Sequence, residues 1–233
     1  MAKMKNKHFF LLVMKTVLAC IFLVATTVVI LSAAGYRLQL EDRSLVQTAM
    51  IVVKSLPKGA TLTVNGKVEE GSTNWRVGGL QPGVYSVVVE KDGYRTWEQT
   101  VQVDPGQTAL FEDVVLFSKE PVVANIDGKQ NEGFVSRLTN SISDNDVVAN
   151  GAELHYLGRL VTRLSSPISN ARLYPDNAHI AYICDGGFWV VDLDGSNNQR
   201  LFDVASNSPY VFLNGGRQVL FQENDLLKTA TIW

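Results

Sequence analysis

Nineteen consecutive residues without a charge, Thr16 to Ala34 (TVLACIFLVATTVVILSAA), constrain this chain more than any other stretch. As a helix they span ~28 Å, close to the hydrocarbon thickness of a bilayer. Phe9 to Met14 extend the apolar character on the far side of Lys15, whose aliphatic stem can carry its ammonium to the headgroups. Lys3, Lys5, Lys7 and Lys15 are the only charges in the first fifteen residues. A basic N-terminal flank places Met1 in the cytoplasm and Tyr36 onward outside. The expected organisation is a basic tail at 1–15, a transmembrane helix at 16–34 and a short polar stalk at 35–48. Two other readings stay open. Ser32-Ala33-Ala34 has the small-residue pattern of a signal-peptide cleavage site, although the apolar region exceeds the usual ~7–15 residues. Val17-Leu18-Ala19-Cys20 has the outline of a lipoprotein site, but apolar sequence continues where a polar tether would follow.

The remainder is acidic. Residues 36–233 carry 17 Lys/Arg against 23 Asp/Glu, a net of −6. That balance argues against a nucleic-acid partner, which calls for a basic face. The two cysteines, Cys20 and Cys184, lie in segments that have no reason to meet, so no disulfide framework is expected.

From residue 49 to 117 the chain reads as short strands between turns, without a helical period. Leu62-Thr63-Val64 alternates into Asn65-Gly66, a strong hairpin-turn signal. Pro82-Gly83 leads into Val84-Tyr85-Ser86-Val87-Val88-Val89-Glu90, where Val87 and Val89 share one face. Lys91-Asp92-Gly93 turns again, and Pro105-Gly106 separates the strand through Trp97, Val101 and Val103 from a last strand at Ala109 to Phe117. With Met50-Ile51-Val52-Val53 ahead of them, these short strands and the turns between them predict a small antiparallel β-sandwich.

Pro57-Lys58-Gly59-Ala60, Val64-Asn65-Gly66-Lys67, Gly71-Ser72-Thr73, Leu80-Gln81-Pro82-Gly83 and Gly93-Tyr94, in that order, resemble the PEGA domain. Lys58 stands where the family's name carries an acid, and Asn74-Trp75 stands where a proline is common. The resemblance implies a non-catalytic surface sandwich of microbial envelope proteins that acts as a spacer or binds protein or glycan.

Residues 118–133 are polar and turn-rich and are expected to be a linker. Strands resume over 134–233. Tyr174-Pro175-Asp176-Asn177 leads into Ile180-Ala181-Tyr182, followed by Phe188-Trp189-Val190-Val191-Asp192-Leu193-Asp194-Gly195 and then Arg200-Leu201. The unit returns 39 residues later: Ile180-Ala181-Tyr182 aligns with Val219-Leu220-Phe221, Asn177-Ala178-His179 with Gly216-Arg217-Gln218, and Asp185 with Asn224. A strand-only period near forty marks propeller blades, and the motif order resembles the TolB-like (WD40-like) β-propeller repeat. Val147 to Leu164 reads as a degenerate earlier blade. One hundred residues supply about two and a half blades where closure takes four or more, so a fragment of a longer propeller or an open array is expected. The fold class is therefore mainly β: a transmembrane helix, a PEGA-like sandwich and partial propeller-like strands.

The chemistry-bearing residues give no active site. Asp192 to Asn198 is oxygen-rich but lacks the spacing and closing Glu of a calcium loop, and reads as a hairpin turn. Asp144-Asn145-Asp146 reads as another. His8, His155 and His179 have no second His or Cys at ligand spacing. Cys184 has no assignable base and reads as a structural thiol. Gly-x-Ser-x-Gly, P-loop and dinucleotide fingerprints are absent from the sequence. Trp75, Trp97, Phe188 and Trp189 fit a core better than a sugar-stacking platform. No catalytic, metal or cofactor residue is assigned, and no ligand-binding residue is named. The function expected is non-enzymatic: an anchored surface protein that meets the bilayer through residues 16–34 and an envelope protein or glycan through its outer modules. A structural envelope-layer component, or the anchor and spacer of an enzyme whose catalytic part lies elsewhere, are the alternatives.

Overall fold

The computed structural model describes residues 2–39, 44–71, 74–126, 146–223 and 226–233. They divide into two compact units. One comprises residues 1–52, 76–84 and 102–110, the other residues 53–75, 85–101 and 111–233.

In the first unit, helix α1 runs unbroken from Ala2 to Ala33. The basic N-terminal segment, expected as a tail, is thus part of the helix, since neither Gly nor Pro interrupts residues 2–34. Its apolar stretch begins at Phe9 and continues to Ala33, 25 residues with none of that surface buried. The expected stalk is not a bare tether. Strands β1 (Tyr36–Gln39) and β2 (Ser44–Gln47) pair antiparallel. The Thr48 N–H and hydroxyl both donate to the Gly35 carbonyl, at 2.8 Å each. The Arg37 guanidinium lies against Gly79, where a Cβ would sit 2.7 Å from its Nη2.

The sandwich region forms β3 (Ala49–Leu56), β4 (Thr61–Val64), β5 (Lys67–Glu69), β6 (Trp75–Leu80), β7 (Gly83–Glu90), β8 (Trp97–Val103) and β9 (Thr108–Val115), of which β5 and β6 add to the strands named from the sequence. They form a three-stranded sheet in the order β6-β3-β9 and a four-stranded sheet in the order β5-β4-β7-β8. Burial alternates as the sequence predicts. Ala49, Ile51, Val53 and Ser55 of β3 are buried in turn, as are Val87 and Val89 of β7. Asn65 and Gly66 both take positive φ, +47° and +77°, the geometry that makes Asn-Gly a hairpin turn. Ser72 and Thr73 of the family-like motif lie outside the described residues.

In the second unit three further sheets follow. β11 (Val147–Asn150), β12 (Glu153–Tyr156) and β13 (Arg159–Arg163) make an antiparallel meander. β14 (Ile168–Leu173), β15 (His179–Cys184), β16 (Gly187–Asp192) and β17 (Gln199–Asp203) make a second. β18 (Tyr210–Leu213), β19 (Gln218–Glu223) and β20 (Leu226–Thr231) make a third. Its fourth strand is β10 (Val122–Asn125), which pairs with β20. The segment expected to be linker therefore contributes a sheet strand at 122–125; residues 127–133 lie outside the described residues. The 39-residue repeat is carried by whole strands: β15 shifts onto β19 and β16 onto β20 without offset. No closed ring of sheets forms among the described residues.

β15 is buried at all six positions, because both of its faces are covered. Ala181 and Ile183 point into a core with Phe188, Phe202, Tyr210 and Phe221. Ile180, Tyr182 and Cys184 point the other way, against Val147, Leu154, Ile168 and Val191. A strand between two neighbouring sheets has no polar face to show, so the alternation lapses into a continuous apolar run.

Candidate functional site

Two polar sites stand out in the second unit, one buried and one open. The buried one is centred on His179, at the start of β15 and 2% exposed. The turn before it is held by Asp176, whose Oδ1 accepts from the N–H groups of Ala178 (2.8 Å) and His179 (3.2 Å). Asn177 sits at φ +59°, a left-handed position that Asn tolerates. This places Asp176 Oδ2 at 2.7 Å from His179 Nδ1. On the opposite side, His179 Nε2 lies 3.1 Å from Asp192 Oδ1, at the end of the neighbouring strand. The rings of Phe117 and Tyr174 pack edge-on to the imidazole, at 5.8 and 5.9 Å between centroids.

Burial alone would lower the imidazole pKa. Hydrogen bonds to Asp176 and Asp192, with their negative charges, outweigh it and hold His179 up at about 9. His179 is therefore an imidazolium between two carboxylates at neutral pH. Asp192 is desolvated too, yet the hydrogen bond and charge of His179, with donors from Asn197 and Trp97, hold its carboxyl below the usual range. With both ring nitrogens engaged, His179 has no lone pair for a metal. Among the described residues no group of three or more His, Cys, Asp or Glu is arranged to hold one.

Asp192 also links β8 to the β16–β17 turn. Its Oδ2 accepts from Trp97 Nε1 (3.0 Å), Asn197 Nδ2 (2.8 Å) and Ser196 Oγ (3.2 Å). Asn197 brackets one backbone unit of β8: Glu98 N–H donates to its Oδ1 at 3.1 Å, and its Nδ2 donates to Glu98 O at 3.2 Å. A side-chain amide so placed reproduces one rung of a β-ladder and covers an otherwise open sheet edge. Gln99 donates to Asp194, and Gln199 Nε2 donates to Thr96 O at 3.2 Å. The oxygen-rich loop of the sequence is thus a hairpin turn whose side chains bind β8. Gly195, at φ +89°, passes so close to the Val161 carbonyl that a Cβ there would overlap it.

The open site is a cavity of about 500 Å³ beside the Pro57-to-Lys67 stretch. Thr61 and Glu90, paired across β4 and β7, form one wall. Thr96 Oγ1 donates to Glu90 Oε1 at 3.2 Å. Lys91 donates to the Lys58 carbonyl, and its ammonium lies 5.7 Å from the Tyr94 ring centroid. Asp92 and Lys119 complete the rim.

The remaining candidates have ordinary roles. Trp75, Trp97 and Phe188 are buried. Trp189 is half-buried, stacks on Tyr182 and donates to the Cys184 carbonyl at 3.0 Å. None of the four is a surface platform. Cys184 is buried, and burial with the Asp185 charge pushes its thiol pKa up, away from a nucleophilic thiolate. His155 lies 3.6 Å from Glu153. His8 lies in α1, and of the acidic turn at 144–146 only Asp146 is described.

Sequence reasoning placed neither site. Trp97 and Asp192 are 95 residues apart, and neither sits in a motif that names the other. The only local signal was Asp176 three residues before His179.

Residues 48–114 match the PEGA domain. No curated protein matches the chain at a significant level.

Proposed function

We propose that this chain is a single-pass membrane protein that carries a PEGA domain and a stack of antiparallel sheets on the outer surface of the cell, where they bind without catalysis. The observation that carries the reading is the fully exposed apolar helix from Phe9 to Ala33, followed by the PEGA match at 48–114. In water that surface would be costly. In a bilayer it is matched, and 25 residues at ~1.5 Å give ~38 Å, enough to span with tilt. The hydroxyls of Thr16, Thr26 and Thr27 donate to Val13, Phe22 and Leu23 carbonyls of the same helix at 2.8–2.9 Å. Those groups thus need no water within the hydrocarbon. The lysines at positions 3, 5 and 7 support a cytoplasmic N-terminus.

The strand-for-strand 39-residue repeat supports reading the meanders at 147–231 as TolB-like blades. β10 beside β20 supports it further, because it brings that sheet to the four strands of a propeller blade.

Protease treatment of intact cells tests the topology. A tag at the C-terminus should be lost and a tag at the N-terminus protected. Loss of the N-terminal tag with survival of the C-terminal one overturns the orientation. A mature chain that begins near Gly35 assigns the helix to a cleaved signal peptide and overturns the anchor.

A further inference from the structure

We propose that the cavity beside Gly59 is a binding site for a neutral, hydroxyl-rich carbohydrate. Access to such a ligand rests on the surface placement proposed above; the chemistry of the cavity does not.

The lining selects by exclusion. Glu90 and Asp92 face it with Lys91 and Lys119, so the site carries two charges of each sign. A polyanion such as a nucleic acid or phosphate polymer meets the two carboxylates. A polycation meets the two ammoniums. A lipid chain finds no apolar wall, since the remaining side chains are Thr61, Thr96 and the Tyr94 ring. A neutral ligand with many hydroxyls meets none of these objections. Its hydroxyls can donate to carboxylates and accept from ammoniums at the same time.

The wall is also preorganised. Thr61, Glu90 and Thr96 stand on β4, on β7 and beside β8, adjacent strands of one sheet, and the Thr96–Glu90 hydrogen bond fixes that carboxylate. The turn opposite is tied down by Lys119 N–H donating to Gly93 O at 2.9 Å and by the bridge between Tyr94 and Ser118. The Asp92 and Lys119 side chains have no hydrogen-bond or ion-pair partner among the described residues, so they are available to a ligand. Tyr94 is half-buried, lines the cavity and carries the Lys91 ammonium over its ring, so it holds that cation in the lining. At about 500 Å³ the cavity falls within the ~300–1,000 Å³ of small-molecule sites.

The test is calorimetric titration of the full-length chain in detergent micelles. The neutral probes are chitotetraose, cellotetraose and mannotetraose. The charged probes are polyphosphate, tetralysine and a zwitterionic tetrapeptide. At least one neutral oligosaccharide should bind saturably. Asp92→Asn, Lys119→Ala and Tyr94→Ala should each weaken that binding at least about fivefold, while Glu112→Gln, away from the cavity, should leave it unchanged. Asp92 and Lys119 are exposed, so their variants keep the test valid even if Tyr94→Ala fails to fold. The proposal is overturned if only charged probes bind, if no probe binds at millimolar concentration, or if binding survives the first two substitutions. Since titration in micelles does not depend on orientation in a cell, failure here and failure of the protease test are separate results.

Discussion

Helix α1 and strand β15 both carry long apolar runs, and their fates are opposite. The helix leaves Phe9, Leu18, Phe22 and Val24 more than 60% exposed. The strand leaves nothing exposed over His179–Cys184. Composition alone does not separate them. What separates them is how the backbone is satisfied and what is left to cover. A helix closes its own hydrogen bonds, so a predominantly apolar segment of 25 residues can stand without a protein partner on any side. A strand must borrow its partners, so the five apolar residues Ile180 to Cys184 arrive with a sheet and are covered on both faces. An apolar run therefore states a demand for a dry environment, and its period and length decide whether lipid or protein supplies it.

The contrast breaks most visibly under a carboxylate. Ile180→Asp places a charge where β15 is fully enclosed, against Leu154 and Val191. With no partner for that charge the expected cost exceeds ~4 kcal/mol, enough to abolish the thermal transition of the β region. Val24→Asp should leave that transition unchanged, because Val24 packs on nothing in the fold. Its effect should fall on membrane insertion, by ~2.5–3.5 kcal/mol for a central acid. Equal loss of thermal stability in both variants would mean that the helix is part of a folded core.

β15 is not uniformly apolar, and His179 at its start gives the next largest effect. The imidazole pKa rises from its ordinary ~6.5 to about 9. A raised pKa means that the folded state binds the proton more tightly, so the contribution is complete below ~6.5 and is lost as pH rises through about 9. The shift corresponds to ~3 kcal/mol, divided between Asp176 and Asp192. Asp192 has the opposite sign. Held below the usual range by His179, Asn197 and Trp97, it contributes above ~4, and the contribution is lost as acid protonates it. Chemical denaturation from pH 5 to 10 should show an alkaline decline that His179→Gln flattens. His179→Gln should also cost ~2–4 kcal/mol at pH 6, because two half-buried carboxylates lose their buried cation. An undiminished alkaline limb in the variant would move the effect to other groups.

How much of this could be read from the chain depends on the range of each signal. The helix, the Asn65-Gly66 turn, the Val87 and Val89 face and the repeat that superposes β15 on β19 are local, and period and turn chemistry disclose them. Strand β10 was hidden because Val122–Asn125 lies among turn residues and finds its partner a hundred positions later in β20. The hairpin β1–β2 was hidden for a related reason: Tyr36–Gln39 and Ser44–Gln47 are too short to show a period. His179 had one local clue in Asp176, but Asp192 reaches it only through strand register, and Trp97 only through the tertiary fold. The cavity was invisible because its lining comes from three separate places in the chain, around Thr61, from Glu90 to Thr96, and at Lys119.

The smallest effect tests whether the β8 edge is held by a side chain standing in for a strand. Asn197 accepts one hydrogen bond from the Glu98 N–H and donates to the Glu98 carbonyl and to Asp192. Part of this is recovered from water on deletion, so Asn197→Gly should cost ~1–2 kcal/mol. Asn197 also sits at φ +49°, a left-handed conformation that costs a Cβ-bearing residue ~1 kcal/mol and glycine almost nothing. Asn197→Ala should therefore be worse than Asn197→Gly by about that amount, the reverse of the usual order in which alanine is the safer truncation. Amide exchange adds a second readout. The Glu98 N–H should exchange faster in both variants, while the β15 amides, protected on both faces, should not change. If the two truncations prove equal and Glu98 stays protected, β8 is held by the Trp97–Asp192 and Gln99–Asp194 bonds and the amide clamp contributes nothing. If alanine is worse and Glu98 opens, the edge depends on a turn residue whose backbone angle and side chain are both required. That is the opposite of α1, where no single contact holds the surface and only the surrounding medium does.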